Sequence, residues 1–390
     1  MNLLRTLRSI DAAAARRRHG RRILVDSRTP LNYEMVAPVV RALAGDPRVR
    51  FTFTASEEPQ RIDAIYAGVP AGHRLIHPSR AALFRWDAYL TSDFMWARLP
   101  RGTARVQMFH GVAGKYGFDA PTTSMRAWDR LFFVNERRMR NVLASGAIDA
   151  ASTAPRLIGM PKVDCLVDGT LRRDAVIAGL GLDPSRPTVL YAPTWSPASS
   201  LNLLGVPLVQ KLRTLPVNVI VKLHDRSRDL RPQYSGGIDW MAALSPLLTP
   251  PAGVVATAAN IAPCLAAADV MISDHSSAAF EYLILDRPLV RIEVPALLQQ
   301  AHVHPDYAQL LAESADNVRD VDHVIAAVER ALASPRHRSD TRRKVAADLF
   351  YRPGTASTRC AAALYEVIGL EPHASLVPHI REAAPCALSA

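Results

Sequence analysis

The sequence predicts a parallel α/β fold in two domains, on three observations. Strand-like and helix-like stretches alternate along the chain, the pattern of parallel sheets covered by helices on both faces. The 390 residues are long for one domain and comfortable for two. The stretch from Asp269 to Glu293 is itself a strand–turn–helix–strand unit. It has an apolar strand Val270–Ile272, a polar turn Ser273–Ser277, a helix Ala278–Leu285 and a second strand Leu289–Ile292. Asp286-Arg287-Pro288 ends that helix, because proline lacks an N–H and turns the residue before it away from helical angles.

The elements follow in order. Residues 1–22 hold Arg5, Arg8, Arg16, Arg17, Arg18, Arg21 and Arg22, with Leu3, Leu7 and Ile10 at helical spacing. This is either a basic amphipathic helix for an anionic membrane or a solvated arm. Arg22–Asp26 begins the first strand. Met35–Leu43 is a helix with Val36, Val39, Val40 and Leu43 on one face, and with Pro38 expected in its first turn. Arg50–Thr54 alternates as a strand, Arg61–Ala67 reads as helix, and Trp86–Ser92 as a strand with a polar end. Arg105–His110 is the next strand and runs into the glycine-bearing loop Gly111–Gly117. His110 thus stands at a strand's carboxyl end, where an imidazole suits proton transfer near neutral pH; the alternative is a structural histidine. The loop is not a Walker A sequence, since no Gly-Lys-Ser/Thr occurs in it. Arg130–Val134 is a strand, Glu136–Ala144 its helix, and Arg156–Asp164 the exit from the first sheet.

Thr188–Trp195 opens the second domain, with Pro193 stopping the strand and Thr194 offering a hydroxyl at its end. A serine-rich loop leads to a helix at Leu208–Leu212. Asn218–His224 is a buried strand on which Lys222 and His224 share a face at period two. Both reach a phosphate there, or they are an edge lysine and a satisfied histidine. Val254–Thr257 is a weak strand and Ile261–Ala267 a helix. In the turn after Ile272, Ser276 and Ser277 place hydroxyls at a helix N-terminus and a strand's carboxyl end. The unpaired N–H groups and the dipole favour an anion at that place. This points to a nucleotide-diphosphate donor, with plain N-capping as the competing reading. Beyond Glu293 come an irregular loop and helix, a helix Val321–Leu332, a basic exposed segment Pro335–Arg343, and a final helix Ala361–Ile368. His302 and His304 lack a third ligand, so no metal site is assigned.

Net charge is +11 with 49% hydrophobic residues. That leaves anionic membrane, nucleic acid and phosphorylated substrates open as partners. The cysteines, Cys165, Cys264, Cys360 and Cys386, form no C-x-x-C pair, so neither a zinc site nor a disulfide framework is expected. A reducing cytoplasm fits best. No apolar run has transmembrane length, and no signal peptide is read at the start.

Several stretches, taken together and in order, carry a resemblance. They are His110-Gly111 with Lys115, Tyr191-Ala-Pro-Thr-Trp195, Lys222-Leu-His224, Ser273-Asp-His-Ser-Ser277 with Phe280-Glu281, Arg287-Pro288, and Gly354 with Ala356-Ser357 and Arg359. Their order and separation resemble the CDP-glycerol glycerophosphotransferase family, which includes teichoic acid glycerol-phosphate primases and polymerases. The resemblance implies a GT-B fold, with two Rossmann-like doubly wound domains whose parallel sheets face a central cleft. It divides the chain into a basic arm 1–22, an acceptor domain 23–164, a linker 165–187, a nucleotide-donor domain 188–352, a helix 353–370 returning to the first domain, and a tail 371–390 expected to be disordered. The implied reaction moves glycerol phosphate, or a related alditol phosphate, from CDP-glycerol to an acceptor hydroxyl in cell-wall or capsule polymer synthesis, releasing CMP. In this picture His110 is the general base. His224 and Lys222 bind the donor's phosphates with Thr194, Ser276 and Ser277. Glu281 accepts hydrogen bonds from the ribose, and Gly111 and Lys115 belong to the acceptor loop. For Lys115 a role in fixing its loop stays open, and for Glu281 one in complementing the helix dipole. No cofactor is expected.

Three positions depart from the family's usual pattern. Asp225 follows His224 where proline is usual. His275 stands where tyrosine often does. Val112-Ala113-Gly114-Lys115 replaces a sequence close to Thr-Pro-Leu-Lys. These departures bear on the acceptor and on the donor's alditol more than on the fold. The expected partners are a CDP-glycerol or related CDP-alditol donor, a lipid-linked or polymer acceptor and an anionic membrane surface, with no nucleic acid. The expected location is the cytoplasm, at the inner face of the cell membrane if the basic arm binds there. The rivals are a GT-B sugar-nucleotide glycosyltransferase or UDP-N-acetylglucosamine 2-epimerase-like enzyme, and a non-enzymatic basic protein binding membrane or nucleic acid. The epimerases have a glycine pair where Ser276-Ser277 stands, and no nucleic-acid motif is present.

Overall fold

Arg21 to Asp26 is the first of thirteen strands among the described residues, all paired in parallel. The structure is a computed structural model that describes Thr6, Ser9–Asp11, Ala13, Ala14 and residues 20–383 apart from 71, 94, 100, 118 and 119. The chain divides into two units. Unit 1 joins Met1–His110, Pro121–Asp164 and Phe350–Ala390; unit 2 joins Gly111–Ala120 and Cys165–Leu349. Most of the expected basic arm, Leu3, Leu7 and Arg16 to Arg18 included, lies outside the described residues.

Unit 1 is built on β1 (Arg21–Asp26), β2 (Val49–Thr54), β3 (Arg74–Leu75), β4 (Ala88–Thr91), β5 (Ala104–Met108), β6 (Arg130–Phe133) and β7 (Pro155–Leu157). Their order across the sheet is β3-β2-β1-β4-β5-β6-β7. That order reverses direction between β1 and β4, and in such sheets ligands bind outside the carboxyl ends at this switch point. Ile23, Leu24 and Val25 are all fully buried. Consecutive burial means both faces of β1 are covered, which is why the strand reads as a continuous apolar run.

The helix after β1 spans Pro30–Leu43. It starts earlier than expected because Thr29 and Asn32 form a capping box at its N-terminus. Pro38 therefore lies inside the helix and not in its first turn. Val36, Val39, Val40 and Leu43 do form the buried face, which packs against the helix Ala356–Ile368. Asp164 anchors that second helix: its carboxylate accepts from the Gly354, Ala356 and Ser357 amides at 2.8, 3.1 and 2.7 Å and from the Ser357 hydroxyl at 2.7 Å. Arg359 donates to the carbonyls of Ile158, Tyr351 and Arg352. Gly159 sits at φ +90°, where a Cβ would meet the Tyr351 carbonyl oxygen at 2.5 Å, so only glycine fits. The tail is not disordered throughout as expected. Val377–Ala383 is helical and packs on Ala356–Ile368, with Ala383 buried and its carbonyl bonded by Arg352.

Unit 2 is built on β8 (Thr188–Tyr191), β9 (Asn218–Lys222), β10 (Gly253–Ala256), β11 (Val270–Ser273), β12 (Leu289–Ile292) and β13 (Asp316–Val318), in the order β10-β9-β8-β11-β12-β13. Its switch point lies between β8 and β11. The helix Ser200–Leu212 is longer than expected; Gly205 and Pro207 hide its first half from a propensity reading. Gly205 is tightly packed: a Cβ there would lie 3.0 Å from Leu201 Cδ1 and 3.2 Å from the Trp240 ring.

Three further expectations are corrected here. Residues 165–187 are not a free linker: the helix Arg173–Gly179 packs on Ala262–Ala267, and Arg173 pairs with Asp269 at 3.0 Å. The segment Pro335–Arg343 is not simply exposed. Arg342 is fully buried, with Nε 3.1 Å from Asp286 Oδ1 and Nη2 donating to the Asp286 and Pro335 carbonyls. The loop after His110 belongs to unit 2 and not to the first domain.

The Asp164 anchor gives a stability prediction. Asp164→Ala strands four donors that share one carboxylate, and should lower unfolding free energy by about 1–3 kcal/mol. Urea denaturation followed by circular dichroism measures it; an unchanged midpoint would show that the anchor is not needed.

Candidate functional site

At the switch point of unit 2, the ends of β8 and β11 are tied together by one carboxylate. Asp274 is fully buried. Its Oδ1 accepts from the Thr194 amide at 2.9 Å, and its Oδ2 from the Ser200 amide at 3.0 Å and the Ser200 hydroxyl at 2.8 Å. The adjacent Ser273 hydroxyl donates to the Ala192 carbonyl at 2.7 Å. Ser276 is the N-cap of the helix Ser277–Leu283: its Oγ accepts from the Ala279 amide at 3.2 Å and lies 3.1 Å from Ser273 Oγ. Ser277 is the first helical residue and keeps part of its surface exposed. Glu281 is only 2% exposed, so its carboxylate offers little surface to a ribose.

The loop Gly111–Gly117 lies on this platform. Lys115 Nζ donates to Thr194 Oγ1 at 2.8 Å and to the His275 carbonyl at 2.7 Å. His275 returns the contact, with Nε2 2.7 Å from the Ala113 carbonyl. A carbonyl only accepts, so Nε2 carries the proton; Nδ1 is buried and finds no partner among the described residues. Burial, reinforced by the Lys115 charge, pushes the His275 pKa down to about 3. Burial likewise pushes Lys115 down to about 8, opposed by the Asp274 carboxylate. Gly111 and Gly114 have φ of +76° and +58°; a Cβ on Gly114 would run into the Tyr307 ring at 2.4 Å. Backbone bonds from the His304 amide to the Gly114 carbonyl and from the Tyr116 amide to the Ala301 carbonyl complete the seat.

His224 follows β9 and caps the short turn Asp225–Arg228, its Nδ1 accepting from the Arg226 amide at 3.1 Å. Lys222 is 5% exposed and donates to the Leu223 carbonyl at 2.9 Å. Around them stands an aromatic and cationic group. Trp195 stacks on Tyr116 at 5.6 Å and meets Tyr234 edge-on at 5.6 Å, and its ring lies 6.3 Å from that of His224. The Arg226 guanidinium sits 4.4 Å from the Trp195 ring centre, a cation–π distance.

In unit 1, His110 lies two residues past the end of β5. Desolvation lowers its pKa from the ordinary value, while the Asp93 carboxylate and a bond to the Ser92 backbone act in the opposite sense. A neutral imidazole is the form a general base needs. Ser92 and Asp93 follow β4, the neighbouring strand. Arg28, two residues past β1, pairs with Asp93 and reaches Glu57 at 3.5 Å. Asp26 is buried there too, accepting from the Ser56 amide and the Tyr89 hydroxyl.

The structure thus brings Lys115, Thr194, Ser276 and Ser277 to one switch point in unit 2 and sets Lys222 and His224 at the next strand. His110 stands with Asp93 in unit 1. Asp274, Trp195, Arg226 and Asp93 were not among the expected site residues. Asp274 was signalled only by its place in Ser-Asp-His-Ser-Ser; the partners of Trp195 and Asp93 are distant in sequence and invisible to spacing. Among the described residues no histidine, cysteine and carboxylate cluster offers a metal site, and no helix is long and apolar enough to cross a membrane.

A family model described as CDP-Glycerol:Poly(glycerophosphate) glycerophosphotransferase matches residues 31–366. Among solved structures, the wall teichoic acid polymerase TagF is similar at 15% identity and a TM-score of 0.66, over 94% of this chain and 94% of that one. A form of the polymerase soaked with CDPG gives 14% identity and a TM-score of 0.65 over the same shares. The UDP-GlcNAc 2-epimerase of Neisseria meningitidis, bound to UDP-GlcNAc, gives 13% identity and a TM-score of 0.56 over 88% of this chain and 100% of that one. At such identities the likeness carries the fold, two parallel-sheet α/β domains of the GT-B class. No curated protein sequence matches the chain.

The His275 contact predicts a pH dependence of stability. Its folded pKa of about 3 lies below the ordinary 6.5, so the stabilisation is complete above 6.5 and is lost as pH falls toward 3. His275→Phe removes this proton uptake. Its urea midpoint should be lower than that of the parent at pH 7.5 and the gap should narrow by pH 4.5. A gap that stays constant would mean the ring does not bury in its neutral form.

Proposed function

The chain belongs to the CDP-glycerol:poly(glycerophosphate) glycerophosphotransferase family, and from that premise we propose how its residues move glycerol phosphate from CDP-glycerol to an acceptor hydroxyl. The observation that carries the reading is the convergence of Lys115, Thr194, Ser276 and Ser277 at the switch point of unit 2, where α/β sheets bind nucleotides. The acceptor oxygen attacks the phosphorus that bears glycerol. The bond from that phosphorus to the bridging oxygen breaks, and CMP leaves. His110 accepts the acceptor's proton. Thr194, Ser276, Ser277, Lys222 and His224 face the donor's phosphates and offset the charge that gathers on the leaving group. For Lys222 and Ser276 this requires an exchange of present partners, since both are buried and bonded within the protein.

A cell-wall or capsule polymer is the acceptor proposed, carried on lipid at the inner face of the membrane. The basic residues Arg5, Arg8, Arg16, Arg17 and Arg18 supply the charge for an anionic surface. Removing residues 1–20 should lower sedimentation with vesicles containing phosphatidylglycerol; equal binding would put the membrane contact elsewhere.

CMP release from CDP-glycerol in the presence of candidate acceptors tests the reaction itself. His110→Ala should cut kcat by about 10²–10⁴-fold with donor affinity nearly intact. His224→Ala should lower kcat and also raise the donor KM. Full activity of the double variant would end the assignment, and turnover of UDP-sugars in place of CDP-glycerol would favour the glycosyltransferase reading.

A further inference from the structure

We propose that Lys115, which the loop after His110 lays on unit 2, is a direct ligand of the donor's diphosphate and supplies its counter-charge. The inference rests on the donor reading above and assigns the lysine a role in donor binding, not in the acceptor loop or as a simple latch. An ammonium has three donors. Lys115 uses two, on Thr194 Oγ1 and the His275 carbonyl, and the third has no partner among the described residues. Both partners are neutral. No carboxylate among those residues forms an ion pair with it, and the nearby Asp274 has its two oxygens taken by Thr194 and Ser200.

A partly buried cation whose hydrogen-bond acceptors are all neutral gains from an anion that joins it. The platform around it is suited to one. Thr194 follows β8, and Ser277 opens the helix after β11. The Gly111 backbone passes close enough to Ser277 that a Cβ would stand 3.4 Å from its hydroxyl. Lys222 is a weaker candidate, being 5% exposed with its Nζ on the Leu223 carbonyl.

A pH dependence follows. The unliganded ammonium titrates at about 8, and a bound diphosphate raises that value. Donor affinity is therefore flat below about pH 8 and falls above it, where binding requires uptake of a proton.

Calorimetric titration of the full chain with CDP-glycerol between pH 6.5 and 9.5 tests this, on the parent, Lys115→Met and Lys115→Arg. At pH 7, Lys115→Met should bind about 10–100-fold more weakly, and its affinity should no longer fall above pH 8. Lys115→Arg should keep most of the affinity at pH 7 and show no fall up to pH 9.5. A Lys115→Met protein that melts earlier yet binds CDP-glycerol as tightly as the parent would make the lysine a latch only and overturn the proposal. If the parent binds UDP-N-acetylglucosamine and not CDP-glycerol, the donor assignment falls. The same comparison with that nucleotide then decides the role of Lys115.

Discussion

The buried carboxylate of Asp274 is the constraint on which the unit 2 site depends. Among the described residues it forms no ion pair; it is held by the Thr194 and Ser200 amides and the Ser200 hydroxyl. A carboxylate in low dielectric survives on hydrogen bonds of this kind, and each of them fixes a different piece of chain. One sets Thr194 after β8, and the others start the helix Ser200–Leu212. Thr194 in turn receives Lys115. The order of dependence therefore runs from Asp274 to Thr194 to the loop, and without the carboxylate the loop would have no fixed hydroxyl to bind.

Unit 1 uses the same device for a different purpose. Asp164 gathers three amides and a hydroxyl at the start of the helix Ala356–Ile368. There the carboxylate joins residues nearly two hundred positions apart and offers nothing to a ligand. Both aspartates cap a chain turn, and only their settings differ. One lies at a switch point beside the Lys115 ammonium, the other at the start of a helix packed on Pro30–Leu43. Chemistry at the site thus comes from what surrounds a cap more than from the cap.

Much of this was legible in sequence. The strands Arg130–Phe133, Asn218–Lys222 and Leu289–Ile292 announce themselves as apolar runs bounded by polar residues, since burial on both faces requires such runs. Helix starts were harder to place. Thr29 with Asn32 caps a helix whose start Pro30 makes look like loop, and Gly205 with Pro207 hides the first half of Ser200–Leu212 in a similar way. Arg342 was misjudged because its segment is basic, whereas the ion pair to Asp286 that buries it spans fifty-odd positions. At the site, the residues that end strands could be named from spacing. Their partners could not: the Trp195 stack on Tyr116 and the Arg28 pair with Asp93 arise only when the sheets form.

Two of the three departures from the family's usual sequence, His275 and the loop Val112–Lys115, are not independent of one another. His275 stands where tyrosine is often found, and its proton goes to the carbonyl of Ala113, inside the loop that also departs. Gly114 is the next residue, and the Tyr307 ring occupies the place its side chain would fill. A leucine at that position, as in the usual pattern, would need the ring to leave. So the short glycine loop, the buried imidazole and Tyr307 form one packing solution. In that arrangement Lys115 reaches Thr194. Two of the three departures, His275 and the loop Val112–Lys115, thus form a single seat for the same lysine in unit 2.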